Sequence, residues 1–390
     1  MSFAAEAFER WIRSTFVEIN TALEELYFAL PDRAAVEGVG GDLKARLLDE
    51  GRALIAPLVA EGNTDEGFDH AFNLLGNLGL YLGALRRHEL MNPDKEAVLP
   101  YEDCSTLAMH IGASLGVAPR FATAHLSTHN RAVDGVQKRF TSLADEQIFI
   151  DLNTLGIFAY KRAGDALMRI SNIGVSHPAA HALFADANNA LTDVARHNKT
   201  LFDRLNPDRF FYCVRPYYKP YRIGASVYRG ANAGDFSGIN EIDLLLGLCR
   251  GNDPDYAQVL VEKQLYMMPE DQARLRDCLR RKSLLTEFSE ALAQSSRKTW
   301  FRANCAAFLE TCAAHGRTAA QHHNMLFRSF IEKPAQSMDE RHLKQITASG
   351  PPLTDLARSL QRLRDLRMAA KREDLKTAHA KLEALRAAIA

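Results

Sequence analysis

No stretch of this 390-residue chain approaches the roughly 20 uninterrupted apolar residues that a bilayer-spanning helix needs, so no membrane span is expected. The N-terminus, MSFAAEAFERWIRSTF, sets acids among its apolar residues and has no continuous apolar core of the kind a secretory leader carries; a cytoplasmic protein is expected. Excess charge is also missing. The 48 Lys and Arg residues cancel the 48 Asp and Glu residues, and without a positive field neither nucleic acid nor an anionic membrane is the expected partner. The six cysteines, at 104, 213, 249, 278, 305 and 312, make no CxxC pair and no dense framework. Reduced thiols buried as small hydrophobes are the expectation, and none sits in a recognisable heme-thiolate motif. Internal repeats, low-complexity segments apart from an alanine- and lysine-rich tail, and sustained apolar–polar alternation are all absent. Strands should therefore be few and short, and a small ligand is favoured over a polyanion.

What is present is helical periodicity. Ala7, Trp11, Thr15, Phe16, Ile19, Leu23, Leu26 and Tyr27 recur at spacings of three and four until Pro31 and the Gly38–Gly41 cluster, and a second helix runs through Leu43, Leu47, Leu54 and Leu58. Further helices are expected over 65–88, 103–115, 119–132, 145–171 and 178–205, then 239–250, 254–266, 269–281, 283–293, 297–314 and 317–332, with a long charged helix from about 354 to the end. The fold class is all-α. Polar residues thicken between Gly135 and Gln147, a candidate hinge between two lobes.

Chemistry concentrates between Asn206 and Cys249, which places arginines, five tyrosines and a glycine-rich turn between helical segments. In Arg215-Pro216-Tyr217-Tyr218-Lys219-Pro220-Tyr221-Arg222 two prolines forbid a regular helix, and the Arg215 guanidinium offers a planar fork matched to carboxylate or phosphate. Gly230-Ala231-Asn232-Ala233-Gly234 has too little side chain to pack, which suits a loop that approaches a ligand. An ordinary tyrosine-rich connection has the same composition.

Two adjacent histidines, His322 and His323, lie about 100° apart on a helix and cannot share a pocket. The face of His323 holds Ala319, Ala320, Leu326, Phe327 and Phe330, whereas His322 shares the more polar face of Thr318, Met325 and Ser329. A buried core histidine and a metal ligand both fit the first setting. His125 and His129, four apart in AHLSTHN, have the spacing of a shared metal site but no HExxH glutamate.

The order of these pieces resembles the heme-dependent indoleamine and tryptophan 2,3-dioxygenase superfamily, and most nearly its monodechloroaminopyrrolnitrin synthase branch in the pyrrolnitrin pathway. Asn206-Pro207, Phe210-Phe211 and Val214-Arg215 are similar to the segment carrying that family's substrate-carboxylate arginine. Asn232-Ala233-Gly234 followed by Ile242-Asp243-Leu244-Leu245-Leu246-Gly247 resembles its distal loop and the next helix. His323, eleven residues before Pro334 in HHNMLFRSFIEKPA, resembles the proximal-histidine helix.

The resemblance implies heme b on His323, a substrate carboxylate on Arg215, and a pocket shaped by Tyr217, Tyr218, Asn232, Ala233 and Gly234. It implies a small N-terminal lobe, 1–135, covering the distal pocket and a large heme-binding lobe, 136–390. The reaction implied is oxygenation by O2 at ferrous heme, acting on tryptophan or a related indole or aromatic amino acid. A helix from Val117 to Asn130 would cover the distal face, with Thr123 where the family presents an aromatic residue and Ser127 one turn later. Gly156 would stand where a serine or histidine lies on the next distal helix. These departures put tryptophan itself in doubt and leave the amino-acid carboxylate intact. The loop Ala348-Ser349-Gly350-Pro351 resembles the C-terminal active-site loop. Two other readings stay open: a non-catalytic heme carrier or sensor in which Arg215 pairs with a propionate, and a cofactor-free helical interaction protein.

Overall fold

The structure, a computed structural model, describes residues 1–62, 66–95, 101–231, 234–335 and 353–390. Among them the only strands are a two-stranded antiparallel hairpin, β1 (Tyr221–Ile223) and β2 (Ser226–Tyr228). The rest of the regular structure is helical, as the periodicity requires. The chain divides into two compact units, one drawn from Met1–Asp151, Arg204–Asp235 and Ser329–Leu356, the other from Leu152–Asp203, Phe236–Arg328 and Ala357–Ala390.

In the first unit the expected opening helix is two. Ser2 caps α1 (Phe3–Arg13) by accepting from the Ala5 N–H, and the chain breaks at Ser14 before α2 (Thr15–Phe28). Helices α3 (Gly41–Glu61), α4 (Phe68–Arg87) and α5 (Glu102–Leu115) complete the framework, with α1 against α2, α3 and α4, and α5 against α3 and α4. α4 is buried on nearly every side, as a helix apolar all round must be.

The expected helix over 117–130 forms only as α6 (Thr123–Leu126). Its amides are used elsewhere: the Phe121 N–H donates to the Tyr221 hydroxyl at 3.1 Å and the Ala122 N–H to His125 Nδ1 at 2.7 Å. The segment also lies hard against α4. A Cβ on Gly79 would come within 2.3 Å of the Phe121 backbone nitrogen, a distance only glycine permits.

The second unit is built on α7 (Ala144–Ile173), which begins in the first unit, α8 (Ala180–Arg204), α10 (Gly238–Leu246), α11 (Pro254–Gln264), α12 (Pro269–Arg280) and α13 (Leu284–Ser295). α9 (Pro207–Arg209) belongs to the first unit. The expected break between 314 and 317 does not occur: α14 (Thr299–Gln321) is continuous and passes directly into a π-helix, His322–Glu332, ahead of the short α15 (Lys333–Ala335). Gly316, which reads as a breaker, is instead where the Arg367 backbone approaches, its carbonyl 3.0 Å from where a Cβ would stand. The single C-terminal helix is likewise two, α16 (Leu353–Arg367) and α17 (His379–Ile389). Between them Ala369 takes a positive φ of 47°, and Arg372 bridges Asp365 and Asp374. α17 buries Leu382 and Leu385 in the second unit's core.

The strongest polar tie in the first unit is Glu24–Arg87, a bidentate pair at 2.7 Å on both arms, with the side chains only 0% and 4% exposed. Arg87 Nη2 also donates to the Tyr212 carbonyl at 2.9 Å. Removing one partner strands the other charge in the core. Glu24→Ala should lose about 3–5 kcal/mol of unfolding free energy in urea, whereas replacing both with apolar residues of similar size, Glu24→Leu with Arg87→Met, should recover most of it. A loss below about 1 kcal/mol in the single variant would show that the pair is solvated.

Candidate functional site

Asn206 starts the Arg215 segment by accepting from the Arg209 N–H, with Pro207 in the first turn of α9. The backbone then widens into a π-helical stretch, Phe210–Val214, and tightens into a 3-10 turn, Arg215–Tyr218, before Pro220 ends it. Neighbouring arginines of α4 hold carbonyls at both ends: Arg87 takes Tyr212, and Arg86 Nε donates to Pro220 at 3.2 Å. Gly230 lies so close beneath the turn that a Cβ would fall 1.7 Å from the Tyr218 carbonyl oxygen.

Arg215 and Tyr218 stand at the two ends of this 3-10 turn. Tyr217 stacks on Phe140, centroids 4.3 Å apart, and meets His88 edge-on. Tyr218 is ringed by Phe121, Phe140 and Phe149 at 5.9–6.0 Å, and Phe149 continues to Phe210 and Phe330.

The charges here are unequal in how they are met. Arg87 has Glu24 and Arg86 has Glu89. Lys219 and Arg215 have no carboxylate in ion-pair contact among the described residues. Arg215 has the face of Phe211 at 5.6 Å, and its buried Nη2 has no hydrogen-bond partner among the described residues. Burial lowers the Arg215 guanidinium to about 10, which leaves it cationic at neutral pH. Lys219 is lowered to about 8 by burial and by Arg86, Arg87 and Arg215. A buried cation with an unmet N–H is costly unless an anion arrives. The turn thus carries two cations with no carboxylate in ion-pair contact among the described residues, next to a cluster of aromatic rings.

An acid that the sequence reading missed sits under the same rings. Glu146 accepts from the Phe140 N–H at 2.8 Å and from the Thr141 N–H and hydroxyl, both at 2.6 Å. In the sequence it reads as an ordinary first-turn helix acid, and nothing in the composition marks it as buried.

His323 lies in the π-helix, 5% exposed, stacked on Phe327 at 5.7 Å, while His322 is exposed. π-Helical turns gather at functional sites. One buried imidazole in apolar surroundings is the donor set a heme iron takes from a protein. A bare ion has less to hold it: no group of three metal-ligating side chains occurs among the described residues. Burial pushes the cysteine thiols up, Cys305 to about 11 and Cys278 to about 12, away from the thiolate form a metal needs.

The His125–His129 pair is otherwise engaged. His125 Nε2 donates to the Phe72 carbonyl at 2.8 Å while Nδ1 accepts from Ala122, its ring stacked on Phe72, and His129 Nδ1 meets the Thr128 hydroxyl. Thr123 and Ser127 are joined, since the Ser127 hydroxyl donates to the Thr123 carbonyl at 2.7 Å. Gly156 is buried in α7, with open space where a Cβ would be. The structure thus brings Arg215, Tyr217 and Tyr218 together on one turn. Gly234 follows two residues, Asn232 and Ala233, that lie outside the described residues, as does the loop at 348–351.

A second buried network, also missed, belongs to the second unit. Asp243 of α10 accepts from His315 Nε2 at 2.7 Å, from Arg367 at 2.8–3.1 Å and from the Tyr256 hydroxyl at 2.8 Å. Burial opposes the charge, yet Arg367 and His315 hold this carboxyl well below the usual carboxylate range.

Burial raises Glu146 from 4.5 to about 7, although the Thr141 and Phe140 donors offset part of the effect. The folded state then keeps a proton the unfolded chain has released, so the stabilisation is full below about pH 4.5 and lost as pH rises through 7. At about 1.36 kcal/mol per pKa unit the loss is on the order of 3 kcal/mol. Glu146→Gln removes the titration. The stability difference between wild type and variant, measured in urea from about pH 4.5 to pH 8, should shift by that amount, and a difference flat with pH would place the carboxyl in water.

The sequence model of one known family, described as monodechloroaminopyrrolnitrin synthase PrnB, matches residues 2–389. That is nearly the whole chain. Members are heme-dependent oxygenases, and the all-α body is consistent with their fold. The chain belongs to the PrnB family, and through it to the heme-dependent tryptophan and indoleamine 2,3-dioxygenase-like superfamily.

Proposed function

We propose that the enzyme carries heme b on His323 and oxidises an indole-bearing or related aromatic amino acid with O2, taking the substrate's carboxylate on Arg215. The observation that carries this reading is the Arg215 guanidinium, cationic, with a buried Nη2 that no described residue satisfies. A carboxylate accepts two parallel N–H bonds from such a fork. The Phe211 ring, 5.6 Å from the guanidinium, and the rings clustered about Tyr218 on the same turn supply apolar surface for an aromatic side chain.

His323 fits the proximal role by its burial and its apolar neighbour Phe327. When bound, ferrous heme supplies the oxygen activation that side chains lack. The protein's own part is positional. Arg215 fixes one end of the substrate, Tyr217 is locked by Phe140 and His88, and α4 holds the turn through Arg86 and Arg87. Orientation of this kind lowers the barrier by settling, before reaction, the freedom the reactants would otherwise lose. Thr123 and Ser127 in place of a large aromatic residue support a substrate other than unmodified tryptophan.

His323→Ala should abolish heme incorporation or change the reduced, carbon monoxide-bound spectrum, while His322→Ala keeps both near normal. The reverse pattern would assign the iron to His322. Arg215→Ala should weaken amino-acid binding by about 2–5 kcal/mol, roughly thirty-fold to a few thousand-fold, with heme content unchanged. Loss of heme with ligand affinity retained would place Arg215 on a propionate.

A further inference from the structure

We infer that Asp235 and Arg229 form a positioning pair for the Arg215 turn, fixing the Gly230 backbone on which that turn is seated. The inference rests on Arg215 taking the substrate's carboxylate.

Asp235 stands where three stretches of the first unit meet. Arg120 Nη2 donates to its Oδ2 at 2.9 Å, with both side chains buried, 1% and 0% exposed. Arg229 Nη2 donates to its Oδ1. One carboxylate thus takes a guanidinium on each oxygen. The Arg120 side is anchored further: its Nη1 donates to the Phe121 carbonyl at 2.7 Å, and the Phe121 N–H donates to the Tyr221 hydroxyl at 3.1 Å. The Phe121 backbone also lies hard against Gly79 of α4, the helix whose Arg86 and Arg87 hold the two ends of the Arg215 turn. Asp235 is therefore fixed to the same framework as the turn.

Arg229 is the other side, 21% exposed. The last pair of the hairpin ladder is Tyr221 with Tyr228, and the ion pair to Asp235 takes over one residue later. The residue after that is Gly230. A Cβ there would lie 1.7 Å from the Tyr218 carbonyl oxygen and 3.0 Å from the Lys219 carbonyl carbon. This contact is between backbones, so a displaced Gly230 moves the turn itself and not a side chain that could rotate away. A two-armed contact from Arg215 to a carboxylate tolerates little misplacement. Loosening the turn should therefore cost carboxylate binding before it affects ligand groups that Arg215 does not touch.

The test uses the full-length enzyme loaded with heme and the variants Arg229→Gln, Arg229→Lys and Arg215→Ala. Arg229 is changed in place of Asp235 because loss of the carboxylate would strand Arg120 in the core. Calorimetric titration compares L-tryptophan and indole-3-propionate, which carry a carboxylate, with tryptamine, which lacks one. Arg229→Gln should weaken the first two roughly ten-fold or more and change tryptamine by less than about two-fold. Arg229→Lys keeps the charge and should recover most of the loss. Without ligand, hydrogen exchange over residues 215–222 should rise in Arg229→Gln, an effect that an arginine merely touching the ligand would not have. The melting temperature should fall by less than about 4 °C, since a partly exposed ion pair contributes little to stability.

Equal losses on all three probes, no loss on L-tryptophan, Arg229→Lys no better than Arg229→Gln, unchanged exchange over 215–222, or a larger drop in melting temperature would each overturn the positioning role. If Arg215→Ala loses both carboxylate-bearing probes and Arg229→Gln loses neither, only the positioning role falls. If Arg215→Ala leaves them unchanged, the carboxylate assignment falls and the positioning role with it.

Discussion

The Glu24–Arg87 ion pair is the interaction on which the placement of the Arg215 turn depends. It joins α2 to α4 in the core of the first unit, and its third arm fixes the Tyr212 carbonyl at the root of the Arg215 segment. Desolvating two charges is expensive, and the pair is tolerated because the guanidinium's fork and the carboxylate's two oxygens match in both number and direction. With Arg86 holding Pro220, the turn is clamped at both ends to a helix that cannot itself shift, since α4 is buried almost all round. Arg86 and Arg87 are paired with Glu89 and Glu24, whereas Arg215 and Lys219 have no carboxylate in ion-pair contact among the described residues.

The second unit follows the same logic with another carboxylate. α10 is buried nearly throughout and carries Asn240, Glu241 and Asp243 into the interior. Glu241 is met by Arg274, and Asp243 by His315, Arg367 and Tyr256. Through Arg367 this network ties α16 to α10, and through His315 it ties the helix that leads into the π-helical His323 segment. A buried carboxylate with four donors is rigid and holds one arrangement of its helices, a suitable support for a residue proposed to ligate iron.

Satisfied charge and unsatisfied charge therefore mark different tasks in this protein. The pairs at Glu24, Glu241 and Asp243 complete the fold. Arg215 Nη2 and the Tyr218 hydroxyl, by contrast, are buried without a hydrogen-bond partner among the described residues, which costs stability. Family membership accounts for the chemistry class.

By itself the sequence determined the helical class, most helix spans, and the residues that stand out chemically. Periodicity at three and four marks a buried face wherever a helix forms, and Arg215 and His323 were legible because an arginine between prolines and a histidine on an apolar face are conspicuous locally. It did not determine where helices stop or continue. The stretch over 117–130 stays mostly non-helical because Tyr221 and His125 take its amides and Gly79 admits its backbone, and α14 runs through Gly316 because Arg367 needs the space. Nor could it show that Glu146 is buried, or that Asp243 meets His315 and Arg367 from distant segments. Burial and long-range pairing depend on which surfaces meet, and only the tertiary structure brings them together.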